Sequence, residues 1–261
     1  MATLHLNGID VHYEVHGEGS PLLLIHGLGS CLEDWEYQVP DFAKRYRVIT
    51  YDLRGHGRSA KPEGPYSMAQ FGEDAAELLR ALGVESAHVV GISLGGGIAF
   101  QLVVSHPALV KSLVIVNSGP EAVSRSFKQR VSIWVRFAIV RLMGLPKMAK
   151  VLSGKLFVDA DQVDLRATFV ERFSRNDKRA YMDTMRAFIG WSVTPKIGAI
   201  DCPVLALSAE LDYTPIALKE EYVARIPGAT LVVIPDSHHA LPMERPQAFN
   251  DALQTFLAEH P

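Results

Sequence analysis

The chain has 261 residues, enough for one substantial core, with 48% of them apolar and 21% charged; that balance excludes a disordered segment. A formal net charge of −3 lacks the basic footprint of a dedicated nucleic-acid binder, and no nucleic-acid partner is expected. No apolar run reaches the length of a membrane span, residues 1–10 lack the pattern of a secretory leader, and Cys31 and Cys202 stand outside any metal or redox spacing, so a reducing, cytoplasmic setting is the expectation.

In chain order, residues 3–6 and 11–15 flank Asn7-Gly8, a dipeptide that favours a tight hairpin, so the chain is predicted to open with an antiparallel pair. Short apolar runs rich in β-branched residues follow at 21–26, 47–52, 88–92, 112–117, 203–208 and Thr230–Ile234, with helical patterns such as 68–82 and Leu94–Ser105 between them. Buried strands separated by helices imply a sheet whose two faces are both covered. The prediction is an α/β fold: a mostly parallel eight-stranded sheet with helices on both faces.

The alternation breaks between residues 121 and 195, which contain no clear strand and read as several helices punctuated by Gly144, Pro146 and Gly154. A core of residues 1–120 and 196–261 with a helical lid inserted at 121–195 is therefore expected. Residues 122–158 carry Arg125, Lys128, Arg130, Arg136, Arg141, Lys147, Lys150 and Lys155 but no acidic residue. Phe127, Val131, Trp134, Ala138 and Leu142 share one helical face, while Ile133, Phe137 and Val140 lie elsewhere, so this helix needs burial on more than one side. A lid helix over a pocket meets that need, with Trp134 and Phe137 as candidate substrate contacts; a membrane surface or a homodimer contact through the lid meets it too.

Gly91-Ile92-Ser93-Leu94-Gly95 follows an apolar run and opens a helical pattern. A strand-to-helix turn this tight strains the serine and leaves its hydroxyl exposed, and glycine two positions to either side removes the clash that larger residues would make. The helix start favours developing negative charge, and the Leu94 N–H is one donor for an oxyanion. A second donor, the Leu28 N–H, is expected from His26-Gly27-Leu28-Gly29 after the first core strand, with His26 as a prop for that loop.

With these segments and Asp52-Leu53-Arg54-Gly55-His56-Gly57-Arg58-Ser59, the chain resembles the α/β-hydrolase superfamily along nearly its whole length. It is most similar to the group of small lidded esterases, enol-lactonases, carbon–carbon bond hydrolases and cofactor-free haloperoxidases. The resemblance implies that Arg54 and His56 brace loops. It orders nucleophile, acid and histidine along the chain, which matches Ser93, then Asp212 after the run 203–208, then a histidine of Ser237-His238-His239 ahead of Glu244 and Pro246. Glu210 competes with Asp212, and His238 with His239; the family spacing selects Asp212 and His239.

The implied chemistry is two-step acyl transfer by a Ser93, Asp212 and His239 triad, with no cofactor and no metal. Serine at position 93 sets the chain apart from relatives that use an aspartate nucleophile. Bulky Leu28 points to short or medium acyl groups, hence a carboxylesterase acting on a small-molecule ester, with lactone or carbon–carbon bond cleavage as alternatives using the same triad. A non-catalytic ligand-binding protein of the same fold would be expected to lack a triad member or the oxyanion loop, and the chain retains both.

Overall fold

The computed structural model describes residues 2–261. Its strands are β1 Ala2–Leu6, β2 Ile9–His16, β3 Ser20–Ile25, β4 Tyr46–Tyr51, β5 Ala87–Ile92, β6 Val110–Val116, β7 Val204–Ala209 and β8 Thr230–Ile234. The helices are α1 Val39–Phe42, α2 Met68–Ala81, α3 Leu94–Ser105, α4 Phe127–Leu156, α5 Val163–Ser174, α6 Lys178–Phe188, α7 Ile216–Val223, α8 Leu241–Glu244 and α9 Pro246–Glu259. All eight strands join one sheet in the order β1-β2-β4-β3-β5-β6-β7-β8. β1, β2 and β4 pair antiparallel, and every pairing from β4 to β8 is parallel. Asn7 (φ 49°) and Gly8 (φ 74°) turn the opening hairpin, where two consecutive positive φ values match the twist of the flanking strands.

The central strands are apolar without interruption because each side chain has a core to enter. Leu23, Ile25, Val89, Leu113 and Ile115 pack on one face against Phe71, Leu78 and Leu79 of α2 and Ile98, Phe100 and Leu102 of α3. Their neighbours Leu22, Leu24, Val90, Val114 and Val116 turn to the other face, against Trp35, Phe42 and the α9 residues Phe249, Leu253 and Leu257. Strand alternation thus splits one apolar run between two layers.

Between β6 and β7 the chain leaves the sheet for α4, α5 and α6. The departing and returning segments pair at an isolated bridge, Glu121 with Ser192, closed by Ala122 N to Trp191 O at 2.8 Å and Val193 N to Pro120 O at 2.8 Å. These helices hold their own apolar cluster, with Val140, Leu145, Met148, Phe173, Tyr181 and Met185 buried. α4 breaks at Gly144 (φ 81°), just before Pro146. No helix among the described residues is long and apolar enough to cross a membrane.

Three histidines lie within this core. Burial pushes the imidazoles of His26, His56 and His88 down to about 4, 3 and 4, against an ordinary 6.5. The unfolded chain takes up protons below pH 6.5 that the native core refuses until about pH 4. Stability is therefore complete above pH 6.5 and declines as the pH falls from 6.5 towards 4. At about 1.4 kcal/mol per pH unit, each ring costs ~2 kcal/mol at roughly pH 5. The urea midpoint should drop steadily between about pH 7 and 5; a constant midpoint would mean that these rings are already charged in the native state.

Candidate active site

β5 ends at Ile92 and α3 begins at Leu94, leaving Ser93 alone to make the turn at φ 54°, ψ −117°. A Cβ on Gly91 would come within 2.2 Å of the Gly95 carbonyl oxygen, and one on Gly95 within 2.2 Å of the Ile25 carbonyl oxygen. Both positions exclude any larger residue. The strained residue is pinned by its neighbours: Ser93 N–H donates to Val116 O at 2.9 Å, and the Ser118 hydroxyl donates to Ser93 O at 2.6 Å.

The loop after β3 lies on this elbow, and a Cβ on Gly27 would stand 3.6 Å from that of Ser93. His26 braces the loop, with Nδ1 2.8 Å from Gly27 O and Nε2 accepting from Leu53 N at 3.0 Å. Each ring nitrogen then has a fixed role: Nδ1 carries the proton and Nε2 accepts. Asp52 gathers the adjoining loops, accepting from Leu32 N at 2.9 Å and Arg58 N at 2.7 Å. Arg54 makes a buried two-pronged contact with Asp74 at 2.6 and 2.8 Å, and His56 Nδ1 lies 3.1 Å from Arg54 O.

At the C-terminal end of β7, buried Asp212 faces His239, with Oδ1 2.7 Å from Nδ1. Burial alone would raise its carboxyl pKa; the hydrogen bond from His239 and the charges of His239 and Lys219 outweigh that and hold it at about 2. Glu210 is engaged elsewhere, accepting from Asp236 N at 2.9 Å. His238 turns away to Glu244, with Nδ1 2.7 Å from Oε1. Of the adjacent histidines, His239 alone meets the acid. Asn117 ties this end of the sheet together, accepting from Ala209 N at 2.8 Å and donating to His239 O at 3.0 Å.

Two residues that no sequence motif singles out complete the arrangement. Lys219, only 2% exposed, donates to Asp212 Oδ2 at 2.6 Å and to Thr214 O and Oγ1 at 2.8 Å each; Thr214 Oγ1 also donates to Asp212 Oδ2. Tyr213 stacks on the His239 ring at 4.0 Å between centroids. With Nδ1–H committed to Asp212, Nε2 is the acceptor, and the Tyr213 hydroxyl donates to it at 2.6 Å. Although 62% of Tyr213 is exposed, its hydroxyl end points inward. An aspartate seven positions before a lysine on the next helix was the only sequence signal for the Lys219 contact, and a tyrosine next to the acid gave none.

The expectation for α4 needs correction. Trp134, read as a substrate contact, is 70% exposed, and Phe127, Val131 and Leu142 on its face are exposed as well. The buried seam is the opposite one, around Val140, with partly buried Phe137 packed against it and the Arg186 guanidinium 5.6 Å from the Phe137 ring. The bulk of the apolar residues on both faces does not reveal which face the neighbouring helices cover.

A family model for the alpha/beta hydrolase fold matches residues 20–246, and the chain belongs to that family. It is 31% identical over 258 residues, 95% of this chain and 96% of the other, to a Caulobacter protein named as a candidate carbamate hydrolase, RutD. A 3-oxoadipate enol-lactonase of Acinetobacter baylyi is 28% identical over 261 residues, 98% of this chain and 96% of its own. The crystal structure of the enol-lactonase from Burkholderia xenovorans superposes with a TM-score of 0.91 at 28% identity, over 98% of this chain and all of the other.

Removing the Lys219 ammonium tests the buried pair beneath the histidine. Lys219→Met leaves one Asp212 oxygen buried beside an uncharged partner, and the expected loss is about 3–5 kcal/mol of stability. Guanidinium unfolding of the two proteins reads it; equal midpoints would show that the ammonium is not engaged in solution.

Proposed function

We propose that this α/β hydrolase is a serine hydrolase that cleaves carboxylic esters of short to medium acyl chain through an acyl-enzyme, with Ser93 as nucleophile, His239 as base and Asp212 as its orienting acid. The observation that carries this reading is the geometry at the end of β6. There Asn117 donates to His239 O at 3.0 Å and the adjacent Ser118 donates to Ser93 O at 2.6 Å, bringing the strained serine to the histidine that Asp212 holds. The histidine ring has one nitrogen held by a carboxylate and the other by the Tyr213 hydroxyl.

For turnover the Tyr213 ring swings toward solvent, and Nε2 becomes free to accept the Ser93 proton. Ser93 Oγ attacks the ester carbonyl, and the carbonyl electrons move onto oxygen. That oxyanion is met by the Leu94 N–H, at the positive end of α3, and by the Leu28 N–H. Collapse breaks the carbon–oxygen bond, and His239 returns its proton to the departing alcohol. Water then attacks the acyl-enzyme by the same route and releases the acid and Ser93. Asp212 stays ionised throughout; it holds the tautomer and stabilises the imidazolium.

Residues 121–195 act as a lid on the core of residues 1–120 and 196–261. The lid rests on the oxyanion loop: Leu28 packs against both the core and the helical cluster, and Asn176 Nδ2 donates to Gly29 O at 2.7 Å. Bulky Leu28 beside the elbow limits the acyl group. A lactone is a cyclic ester open to the same chemistry, and the likeness to two enol-lactonases, each at 28% identity, supports it as the second reading.

Wild type and Ser93→Ala should be assayed with p-nitrophenyl esters of increasing acyl length and with a lactone. The variant should lose turnover by on the order of 10⁵-fold; full retention would overturn the assignment of the nucleophile. Tyr213→Phe removes a hydrogen bond that must break before attack, one worth about 1 kcal/mol. Its kcat/KM on small esters should rise about fivefold. A fall of that size instead would make the Tyr213 hydroxyl a participant in the reaction.

A further inference from the structure

Ahead of the break at Gly144, α4 turns a bulky apolar face to solvent. Phe127 is 81% exposed and Leu142 80%, and Val131, Trp134 and Val135 lie exposed between them. At about 100° per residue these side chains, with Ala138, occupy an arc of about 100° on the helix. Lys128 borders the arc on one side, and Arg130 and Arg141 on the other. All three are exposed, and among the described residues none of the three is held in an ion pair. The opposite side of the helix is already used: Val140 is buried in the helical cluster, and Arg136 Nε donates to the Tyr181 hydroxyl at 2.7 Å.

We propose that this face of α4 docks on an anionic lipid bilayer, with Phe127, Trp134 and Leu142 entering the interface and Lys128, Arg130 and Arg141 meeting the headgroup phosphates. A contiguous apolar patch of this kind on a soluble surface marks an interaction site. A helix lying in the membrane plane needs this arrangement, bulky apolar side chains below a basic rim. Charge selects the occupant. A second copy bound through the same face would bring the three cations against the same three of its partner, and residues 122–158 hold no carboxylate to neutralise them. An anionic bilayer supplies both hydrocarbon for the stripe and counter-charge for its borders.

The test is flotation of the purified full chain with vesicles of phosphatidylcholine alone or mixed with phosphatidylglycerol, at low and at high salt. The chain should float with the mixed vesicles only and be released by salt. Arg130→Gln should weaken partitioning about fivefold, the effect of one cation near an anionic surface. Phe127→Glu combined with Leu142→Glu should abolish binding while circular dichroism, melting temperature and ester turnover stay at wild-type values. Absence of binding to the mixed vesicles at low salt overturns the proposal. Equal binding to both vesicle types overturns it as well, since the cations would then contribute nothing. A concentration-dependent dimer that Phe127→Glu dissociates also overturns it, because a second copy would then cover the face. Vesicle binding, circular dichroism and melting temperature are independent of the catalytic assignment.

Discussion

Between β5 and α3 the chain passes from strand to helix through a single residue, and Ser93 takes the whole turn at a positive φ of 54°. A β-carbon in this region crowds its own backbone, at a cost of order 1–3 kcal/mol. The conformation persists only because its surroundings over-determine it. Hydrogen bonds hold the Ser93 amide to β6 and its carbonyl to Ser118. Gly91 and Gly95 permit backbone contacts that a side chain would forbid. The reward is positional: the hydroxyl stands clear of the sheet at the start of a helix, and the neighbouring strands deliver the other groups to it.

Those deliveries come from strand ends that are distant in sequence. β3 ends in the loop braced by His26, β6 in Asn117, and β7 in the Asp212 segment. Asn117 is bonded both to the end of β7 and to the histidine loop, so the sheet order β5-β6-β7 sets the spacing between Ser93, Asp212 and His239. Asp212 is then satisfied on both oxygens, by His239 on one and by Lys219 and Thr214 on the other. Such saturation leaves the carboxylate little freedom to rotate, and the imidazole inherits that restraint.

Tyr213 closes over His239 from the solvent side. Its hydroxyl occupies the second nitrogen of His239, so both ring nitrogens are engaged in this structure. The ring sits at the solvent edge. Above it, the helical layer is stitched to the loop after β3 while its outer face stays bare. Layer and site are coupled through Leu28, which packs into both the core and the helical cluster.

Much of this was legible in the residues alone. The unbroken apolar runs of the central strands determined buried strands, because a sheet covered on both faces has no polar side to record. Thr230–Ile234, by contrast, forms an edge strand that is largely exposed. Asn7-Gly8 determined the opening hairpin, and the glycines around Ser93 determined the elbow, since only glycine tolerates backbone that close. The spacing before Glu244 and Pro246 favoured His239 over its neighbour, and in the fold His239 faces Asp212 while His238 turns onto Glu244. Other features depended on contacts between segments that sequence order does not relate. The Lys219 ammonium reaches Asp212 only because α7 folds back under the β7 loop. Tyr213 covers His239 only because two loops separated along the chain meet at the sheet edge. Which side of α4 is buried was decided by where α5 and α6 pack, as both of its faces are apolar. Local pattern specifies what a segment can bury, and tertiary packing decides against what, which is why the elements were readable and the partners of Asp212, His239 and α4 were not.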